Sequence, residues 1–512
     1  MFFILVFQGL TSSTSPESTW FNYQVITSPK SGTEFGKSVS ISATNERIVV
    51  GADNEEDGRI YIYEYSNPLK WQQKAIIQPQ NTQNVTISQL GFTVSISSDG
   101  TRIISGAPKS KVIKNGEIFE VGCVLVFDLI GSNFWIQREP ICPIPEHDIR
   151  GFGHTLATSS DCKYFATSSH SNDFNIEENN TGTVFVSFEE EKEKWSTPTS
   201  LISSEDYHKS DYGTDLHFID ASTILVAVDD LRIGTLIFKR NKENKWFQKD
   251  MILPIPSENW TGGITNYGKH IAMPSTDNSI IAVTATKESQ KAGSVFILKK
   301  ISNTNKHHTF NENNNQIKYS KNDFNKLTNQ EEIGERYLNL NKNEISLLNR
   351  LKSDQINQWE LISHLEFPEK ASLEDVFFCG LDFLASPSGL NNNGLGAVHL
   401  FSRNDQKFNF TETISPKEAK MFGSSFTWNS RCNRFVVGAM GDQFSNGQIY
   451  IYTRMKGFWR NRQQVQQQTK NMSIMIASSV IALSSVFNVC ISVIFLYLRH
   501  KKLTTLKPIT IV

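Results

Sequence analysis

A Phe-Gly pair, or a close substitute, recurs along this chain, and a pair of small residues follows each copy after sixteen positions. In the first copy, Phe35-Gly36 leads to Gly51-Ala52. The seven copies begin at Phe35, Leu90, Phe152, Tyr212, Tyr267, Glu369 and Phe422. A period of about 55 to 60 residues is typical of a supersecondary unit repeated in a solenoid or a propeller.

Each copy continues with a glycine and a short alternating run, then an aromatic residue with an aliphatic residue six positions later. In the first copy these features are Gly58 to Tyr63, Trp71 and Ile77. Apolar residues at period two, in short runs bounded by Gly, Asn, Asp or Ser, predict four antiparallel strands per unit. We therefore predict an all-β fold, a seven-bladed β-propeller of four-stranded antiparallel blades over residues 20–465.

The fifth copy carries an insertion. Residues 301–358, rich in Asn and Lys, separate its third strand from its fourth. Such a composition buries too little apolar surface to order itself, so we interpret it as a low-complexity insertion in blade 5.

Two segments compete for the place that closes the ring. Trp20 to Ile26 and Trp459 to Val465 both have the spacing of a fourth strand, which gives eight candidates for seven places. We favour the N-terminal segment as the strand that completes the last blade. The C-terminal segment is the alternative.

The motifs resemble a known family. Phe35-Gly36-Lys37-Ser38-Val39 and Gly447 to Tyr452 look like the FG-GAP repeat of the integrin α-chain N-terminal propeller. The resemblance is strong in units one, two, three and seven and faint in units four to six. It implies seven blades and an affinity for protein ligands. The chain lacks the family's Asp-x-Asp-x-Asp-Gly calcium loops and its leg domains, so we expect no metal and no cofactor.

The C-terminal region indicates a membrane anchor. Residues 474–498 form an uncharged apolar run long enough to cross a bilayer, and we expect 499–512, which begin with basic residues, to form a cytoplasmic tail. A buried core helix is the alternative. Residues 1–15 resemble a signal peptide, which leaves 466–473 as a juxtamembrane stalk. We predict a type I single-pass protein of the plasma membrane or the secretory-pathway membrane.

Polar and small residues within the apolar run allow a transmembrane helix partner. Ser478 and Ala482 form a small-xxx-small pair, and Asn488 prefers a polar contact in lipid. Ordinary spanning helices often contain such residues, and that is the alternative.

Cysteines and sequons are typical of an exported chain. A hairpin turn near Gly131 would place Cys123 opposite Cys142, which predicts a disulfide. We expect Cys162, Cys379 and Cys432, each in the first turn of its unit, to be free or ligand-contacting thiols. The glycosylation candidates are Asn84, Asn179, Asn259 and Asn409.

Two long neighbouring loops form our candidate ligand surface. One is basic and the other acidic, and each carries an aromatic residue. The alternative is that both are ordinary solvent-exposed loops that bind no ligand. The six residues are Lys109, Lys111, Phe119, Asp173, Phe174 and Glu177.

Catalytic motifs are absent from the sequence, and the net charge of −1 with no basic stripe argues against nucleic acid. We predict that the chain is not an enzyme and that its propeller binds a protein or glycan ligand outside the cell or in the lumen, as in adhesion or reception. The alternative is a membrane-anchored propeller hydrolase or a secretory-pathway assembly factor.

Overall fold

The computed structural model describes most of residues 20–454. The described ranges are 20–43, 47–66, 70–144, 149–169, 182–201, 211–229, 234–252, 265–274, 277–286, 293–301, 359–367, 375–388, 395–404, 407–441 and 446–454, with residues 494 and 496. The chain divides into a body, Asn22–Thr453, and a second unit made of Met1–Phe21 and Arg454–Val512.

The described part of the body is built from β-strands. In chain order they are β1 (Trp20–Ser31), β2 (Val39–Ile41), β3 (Arg47–Ala52), β4 (Arg59–Ser66), β5 (Lys70–Ile77), β6 (Val85–Thr86), β7 (Thr93–Ile96), β8 (Arg102–Ala107), β9 (Lys111–Lys114), β10 (Glu117–Glu120), β11 (Cys123–Ile130), β12 (Phe134–Gln137), β13 (Thr155–Thr158), β14 (Tyr164–Ser169), β15 (Thr183–Glu191), β16 (Lys194–Trp195), β17 (Thr199–Leu201), β18 (Asp211–Asp220), β19 (Thr223–Asp229), β20 (Thr235–Arg240), β21 (Trp246–Ile252), β22 (Thr265–Ala272), β23 (Ile280–Thr286), β24 (Ser294–Lys300), β25 (Trp359–Glu366), β26 (Phe377–Cys379), β27 (Phe383–Ser388), β28 (Ala397–Asn404), β29 (Lys407–Ile414), β30 (Phe422–Trp428), β31 (Arg434–Ala439) and β32 (Asn446–Arg454).

These strands pair into a series of similar antiparallel sheets. Sheet 1 is β2 to β5, sheet 2 is β7, β8, β11 and β12, sheet 3 is β13 to β17, sheet 4 is β18 to β21, sheet 5 is β22 to β25, sheet 6 is β26 to β29, and sheet 7 is β30, β31, β32 and β1. A small additional sheet joins β6, β9 and β10. The all-β class and the four-stranded antiparallel unit predicted from the repeat are confirmed.

The first strands of the sheets lie next to one another. β2 contacts β7, β7 contacts β13, and the series continues through β18, β22 and β26 to β30, which contacts β2 again. Each core cluster takes residues from two neighbouring sheets: Phe35 and Val50 of the first unit pack with Val436 and Ile449 of sheet 7. The fold is therefore propeller-like, with its apolar core between the sheets.

This packing explains why the second strands carry long apolar runs. In β3, Ile48, Val49 and Val50 are all fully buried, because neighbouring sheets cover both faces. Strands that are buried on both faces have near-continuous apolar runs, unlike strands with one solvated face.

The sixteen-residue spacing follows from a close backbone contact between sheets. Gly91 has a φ of 89°, and a Cβ added to Gly51 would lie 1.9 Å from the Gly91 carbonyl oxygen. The glycine after the aromatic position of one unit thus meets the glycine of the small pair in the preceding unit. Only glycine allows the two backbones to approach so closely.

The N-terminal strand completes sheet 7. β1 is the hydrogen-bonded neighbour of β32, and the Gln448 side-chain amide donates to Thr27 Oγ1 at 3.1 Å. This confirms the favoured interpretation of the closing strand. The competing segment, 459–465, lies outside the described residues.

The insertion of unit five separates two adjacent strands. Lys300, at the end of β24, pairs with Trp359, at the start of β25, so the residues between them leave and rejoin one sheet. The signal-peptide, stalk and tail segments lie outside the described residues, as does nearly all of 474–498. Among the residues that are described, no helix is long and apolar enough to cross a bilayer.

Candidate functional site

One position of the repeat, three residues after the aromatic position, links neighbouring sheets through a hydroxyl group. We refer to it as the hydroxyl position. In four units its side chain donates to the backbone carbonyl of the repeat glycine in the next sheet. The bonds are Ser38 Oγ to Gly91 O at 2.8 Å, Thr93 Oγ1 to Gly153 O at 3.2 Å, Thr155 Oγ1 to Gly213 O at 3.4 Å, and Ser425 Oγ to Gly36 O at 2.7 Å.

The three remaining units, which are consecutive, have different side chains at this position. They are Asp215 in sheet 4, His270 in sheet 5 and Asp375 just before β26 of sheet 6. Asp375 comes six residues after Glu369 and not three, so in sheet 6 the equivalence rests on strand pairing and hydrogen bonds and not on the repeat spacing. One ligand-capable atom from each lies within 4.8 Å of the other two. We refer to these residues as the Asp-His-Asp cluster.

The ladder registers support the equivalence of these positions. In sheet 2, Thr93 pairs with Gly106 and Val94 pairs with Ser105. In sheet 5, Ile271 pairs with Val283 in the same way as Val94 pairs with Ser105. His270, which precedes Ile271, therefore corresponds to Thr93. In sheet 6, Ser386 Oγ donates to the Asp375 carbonyl at 2.9 Å. The corresponding bond in sheet 2 joins Ser105 Oγ to the Thr93 carbonyl at the same 2.9 Å.

Asp215 and His270 lie inside β18 and β22, and Asp375 lies two residues before β26 begins. The His270 side chain is 15% exposed and that of Asp375 is 32% exposed. Solvent therefore reaches these two members of the cluster.

Backbone groups position Asp215. Its carboxylate accepts from the Ile271 N–H at 2.9 Å, across the sheet boundary, and from the Leu216 N–H at 2.7 Å. The first bond replaces the hydroxyl link that other units make to their neighbour. Burial raises the pKa of Asp215 to about 6, although the two N–H donors oppose this shift.

His270 is a neutral imidazole at neutral pH. Burial lowers its pKa to about 3, and the charge of the adjacent Lys269 acts in the same direction. Its Nδ1 is 3.9 Å from Asp375 Oδ1, beyond hydrogen-bond distance. The cluster thus combines a neutral imidazole with a carboxyl group that titrates close to neutral pH.

A disulfide fixes the strand that follows Asp375. Cys379, the last residue of β26, bonds to Cys432 in the first turn of sheet 7, with the Cα atoms 5.6 Å apart. The prediction that both are free thiols is wrong. Cys379 ends a first strand whereas Cys432 lies in a turn, and first strands of adjacent sheets are close enough for such a pair to meet.

The other cysteines of the body behave as predicted. Cys123 and Cys142 form the expected disulfide, with an S–S distance of 2.03 Å. Cys162, at the turn position equivalent to Cys432, is free and buried. Burial raises the pKa of its thiol to about 12.

Only half of the predicted ligand surface falls among the described residues. Lys109 is exposed, and Lys111 and Phe119 lie in the β9–β10 hairpin, where Phe119 pairs with Val112. Lys111 Nζ is 3.8 Å from Glu120, so its charge is partly balanced within the hairpin. The residues of the acidic loop, Asp173, Phe174 and Glu177, lie outside the described residues.

The sequon asparagines divide in the same way. Asn84 and Asn409 are exposed, as glycosylation requires. Asn179 and Asn259 lie outside the described part of the chain.

Sequence reasoning missed the Asp-His-Asp cluster because it searched for local catalytic motifs. Asp215, His270 and Asp375 are far apart in the chain, and only alignment of the units shows that they share a position. The repeat spacing shows the replacement of Ser or Thr in units four and five, at Asp215 and His270. In unit six the same spacing from Glu369 falls on Ser372, so the sequence carried no signal for Asp375.

Comparison with known proteins adds no family. No family model matches the chain, and no curated protein matches it. Among solved structures, one similarity is to the periplasmic gluconolactonase PpgL of Pseudomonas aeruginosa, at 10% identity and a TM-score of 0.42, over 74% of this chain and 85% of that one. Another is to a protein from Lactobacillus plantarum, at 12% identity and a TM-score of 0.42, over 76% of this chain and 86% of that one.

The first of these similarities contradicts one sequence prediction. The chain was predicted not to be an enzyme, whereas the protein from Pseudomonas aeruginosa is named as a gluconolactonase. We withdraw that prediction. Similarity at this level carries no argument about the activity of this chain, which has to be inferred from the geometry of the cluster.

Proposed function

We propose that this protein is a membrane-anchored propeller hydrolase that acts on a small molecule at the Asp-His-Asp cluster. The observation that carries the proposal is the convergence of Asp215, His270 and Asp375 from three consecutive units to within 4.8 Å, where His270 and Asp375 are partly exposed. Titratable groups with displaced pKa values that cluster together are typical of acid–base chemistry.

Two members of the cluster have complementary roles. Asp215, with a pKa of about 6, exchanges a proton near neutral pH, which suits a general base or acid. His270, with its lowered pKa, stays neutral and offers a ring nitrogen that orients a water molecule. Acyl esters and lactones are the first class to test, because a single activated water is enough to cleave them.

We further propose the setting of this activity. The seven sheets are the blades of one closed seven-bladed propeller of the FG-GAP type, and residues 474–498 hold it in the membrane on the lumenal or extracellular side. Two disulfides in the body are consistent with an oxidising compartment. Surface biotinylation of the full chain tests the cellular location, and labelling only after membrane permeabilisation would indicate an internal membrane.

Hydrolysis by the purified full-length protein in detergent tests the function. We expect turnover of at least one ester or lactone in a panel assayed between about pH 5 and pH 8, with a loss of about 10²-fold or more in Asp215→Asn. Ser38→Ala is the matched control, because it alters the hydroxyl position outside the cluster. Absence of turnover across the panel, or equal loss in both variants, would contradict the proposal.

Binding of a protein or glycan is the second candidate function. The β9–β10 hairpin presents Ile118, which is 67% exposed, and Ile113, which is 38% exposed, next to Lys114 in the same strand. Exposed aliphatic side chains next to cations are typical of a recognition surface. Proximity labelling from the full chain, compared with Ile118→Ser, tests this candidate; identical labelling patterns would argue against it.

A further inference from the structure

We propose that Asp215, His270 and Asp375 bind a divalent transition-metal ion, with Zn²⁺ as the best-fitting ion. The inference rests on the proposed function only in that it names a cofactor for the same cluster. It does not require hydrolysis, because a metal ion can bind there whether or not a reaction follows.

The donor set is the first argument. One imidazole nitrogen and two carboxylate oxygens match the ligands that Zn²⁺ takes in open sites, where three protein ligands leave a position for water. Sites for Ca²⁺ or Mg²⁺ use oxygen donors, so the histidine favours a transition metal.

The spacing is the second argument. Bonds of about 2.0–2.2 Å to one ion place its ligand atoms roughly 3–3.5 Å apart. The donor atoms of the cluster lie within 4.8 Å of one another, so small side-chain rotations bring them onto an ion. The Asp375 side chain can make such a rotation, since it is 32% exposed.

The orientation of Asp215 suits metal binding. Backbone N–H groups of Leu216 and Ile271 orient the Asp215 carboxylate in the same way that outer hydrogen bonds orient metal ligands.

The repeat supplies an argument that the cluster alone does not. At the same position in four other units, a hydroxyl group bonds to the next sheet. In those units a Ser or Thr is therefore sufficient for the contact between sheets. Three consecutive departures all introduce metal-ligating side chain types. Asp215 still links two sheets, through the bond that its carboxylate accepts from the Ile271 N–H.

Metal content of the purified full-length protein tests the inference. After treatment with a chelator, the protein is titrated with Zn²⁺ and, separately, with Mn²⁺, and bound metal is measured by mass spectrometry and calorimetry. We expect one Zn²⁺ per chain and a rise in the unfolding temperature on binding.

Variants that carry the hydroxyl side chains found at this position in the other units separate a loss of metal binding from a folding defect. Asp215→Thr and His270→Ser introduce the side chains that the other units carry, and each should weaken Zn²⁺ binding at least tenfold. Ser425→Ala is the control and should bind Zn²⁺ as the unsubstituted protein does. Equal Zn²⁺ affinity in His270→Ser and the unsubstituted protein would overturn the inference.

The two proposals fail in distinguishable ways. Stoichiometric Zn²⁺ binding that His270→Ser abolishes supports the metal site even if no ester is cleaved. Failure to bind Zn²⁺, together with ester hydrolysis at full rate, overturns the metal site and leaves the proposed hydrolase in place.

Discussion

The ring of first strands has two unlike arcs. In sheets 7, 1, 2 and 3 the hydroxyl position carries Ser425, Ser38, Thr93 and Thr155, and each bonds to the backbone of the next sheet. In sheets 4, 5 and 6 the same position carries the Asp-His-Asp cluster. The first arc uses the position for hydroxyl bonds that join sheets. The second carries titratable groups there, of which Asp215 also joins two sheets by accepting from the Ile271 N–H. The difference indicates where a repeat has been released from its structural role.

One glycine from each arc shows a difference in how closely the neighbouring sheet approaches. A Cβ added to Gly91 would lie 2.5 Å from the Arg59 carbonyl oxygen, whereas one added to Gly268 would lie 3.0 Å from the nearest atom, the Val228 carbonyl oxygen. The units of the second arc are also those in which the Phe-Gly signature is faint. The looser contact at Gly268 lies in the unit that contributes His270.

Restoring the hydroxyl pattern throughout the second arc gives the largest expected effect. The combined substitution of Asp215→Thr, His270→Ser and Asp375→Ser should lower hydrolysis by about 10²-fold or more while the protein stays folded. Ester turnover and far-ultraviolet circular dichroism check the two halves of this expectation. Full ester turnover by the folded triple variant would show that the two arcs do not differ in function.

Alanine at the two inter-sheet glycines compares the packing directly. Both glycines have a φ of 89°, so the conformational cost is similar, and the extra cost at Gly91 comes from the closer carbonyl. We expect Gly91→Ala to lower the free energy of unfolding by about 3 kcal/mol or more, and Gly268→Ala by roughly 1 kcal/mol less than that. Urea unfolding of both variants measures the difference; equal losses would show that the arcs are packed alike.

A buried carboxyl group in the first unit, which belongs to the first arc, makes the stability of the protein depend on pH. The Asp53 side chain is fully buried and bonds to Lys37, and burial raises its pKa to about 6. The folded protein therefore holds this proton more tightly than the unfolded chain, and the stability it contributes is lost as pH rises from about 4 to about 6.

Asp53→Asn removes this titration. Relative to the unsubstituted protein, the variant should gain about 2 kcal/mol of unfolding free energy between about pH 4 and pH 7. Denaturant unfolding at both pH values checks this. A difference that stays constant with pH would mean that Lys37 already compensates the buried charge.

A new disulfide gives the smallest expected effect. Ser97 and Cys162 occupy the positions in sheets 2 and 3 that correspond to Cys379 and Cys432 in sheets 6 and 7. Ser97→Cys should form a bond with Cys162. The gain in stability should be about 1 kcal/mol, because the lost Ser97 hydroxyl bonds to Thr101 and Arg102 offset part of it. Thiol titration under non-reducing conditions detects the bond; two free thiols would show that the arcs differ at this turn as well.

The sequence predicted the parts of the fold that depend on local pattern. Period-two alternation located the strands, the spacing from Trp20 to Ile26 identified the closing strand, and a hairpin argument paired Cys123 with Cys142. The site and the second disulfide required knowledge of which units are neighbours. Asp215 and Asp375 are brought together by the order of the sheets and not by any motif near either residue.

The position of β1 in sheet 7 has a consequence for biosynthesis. The first segment of the body to leave the ribosome pairs with the last, so its backbone groups remain unmatched while all the intervening sheets are made. Val25 in this segment is 40% exposed even after pairing. A ribosome that stops before β32 therefore releases a chain in which β1 lacks its partner strand.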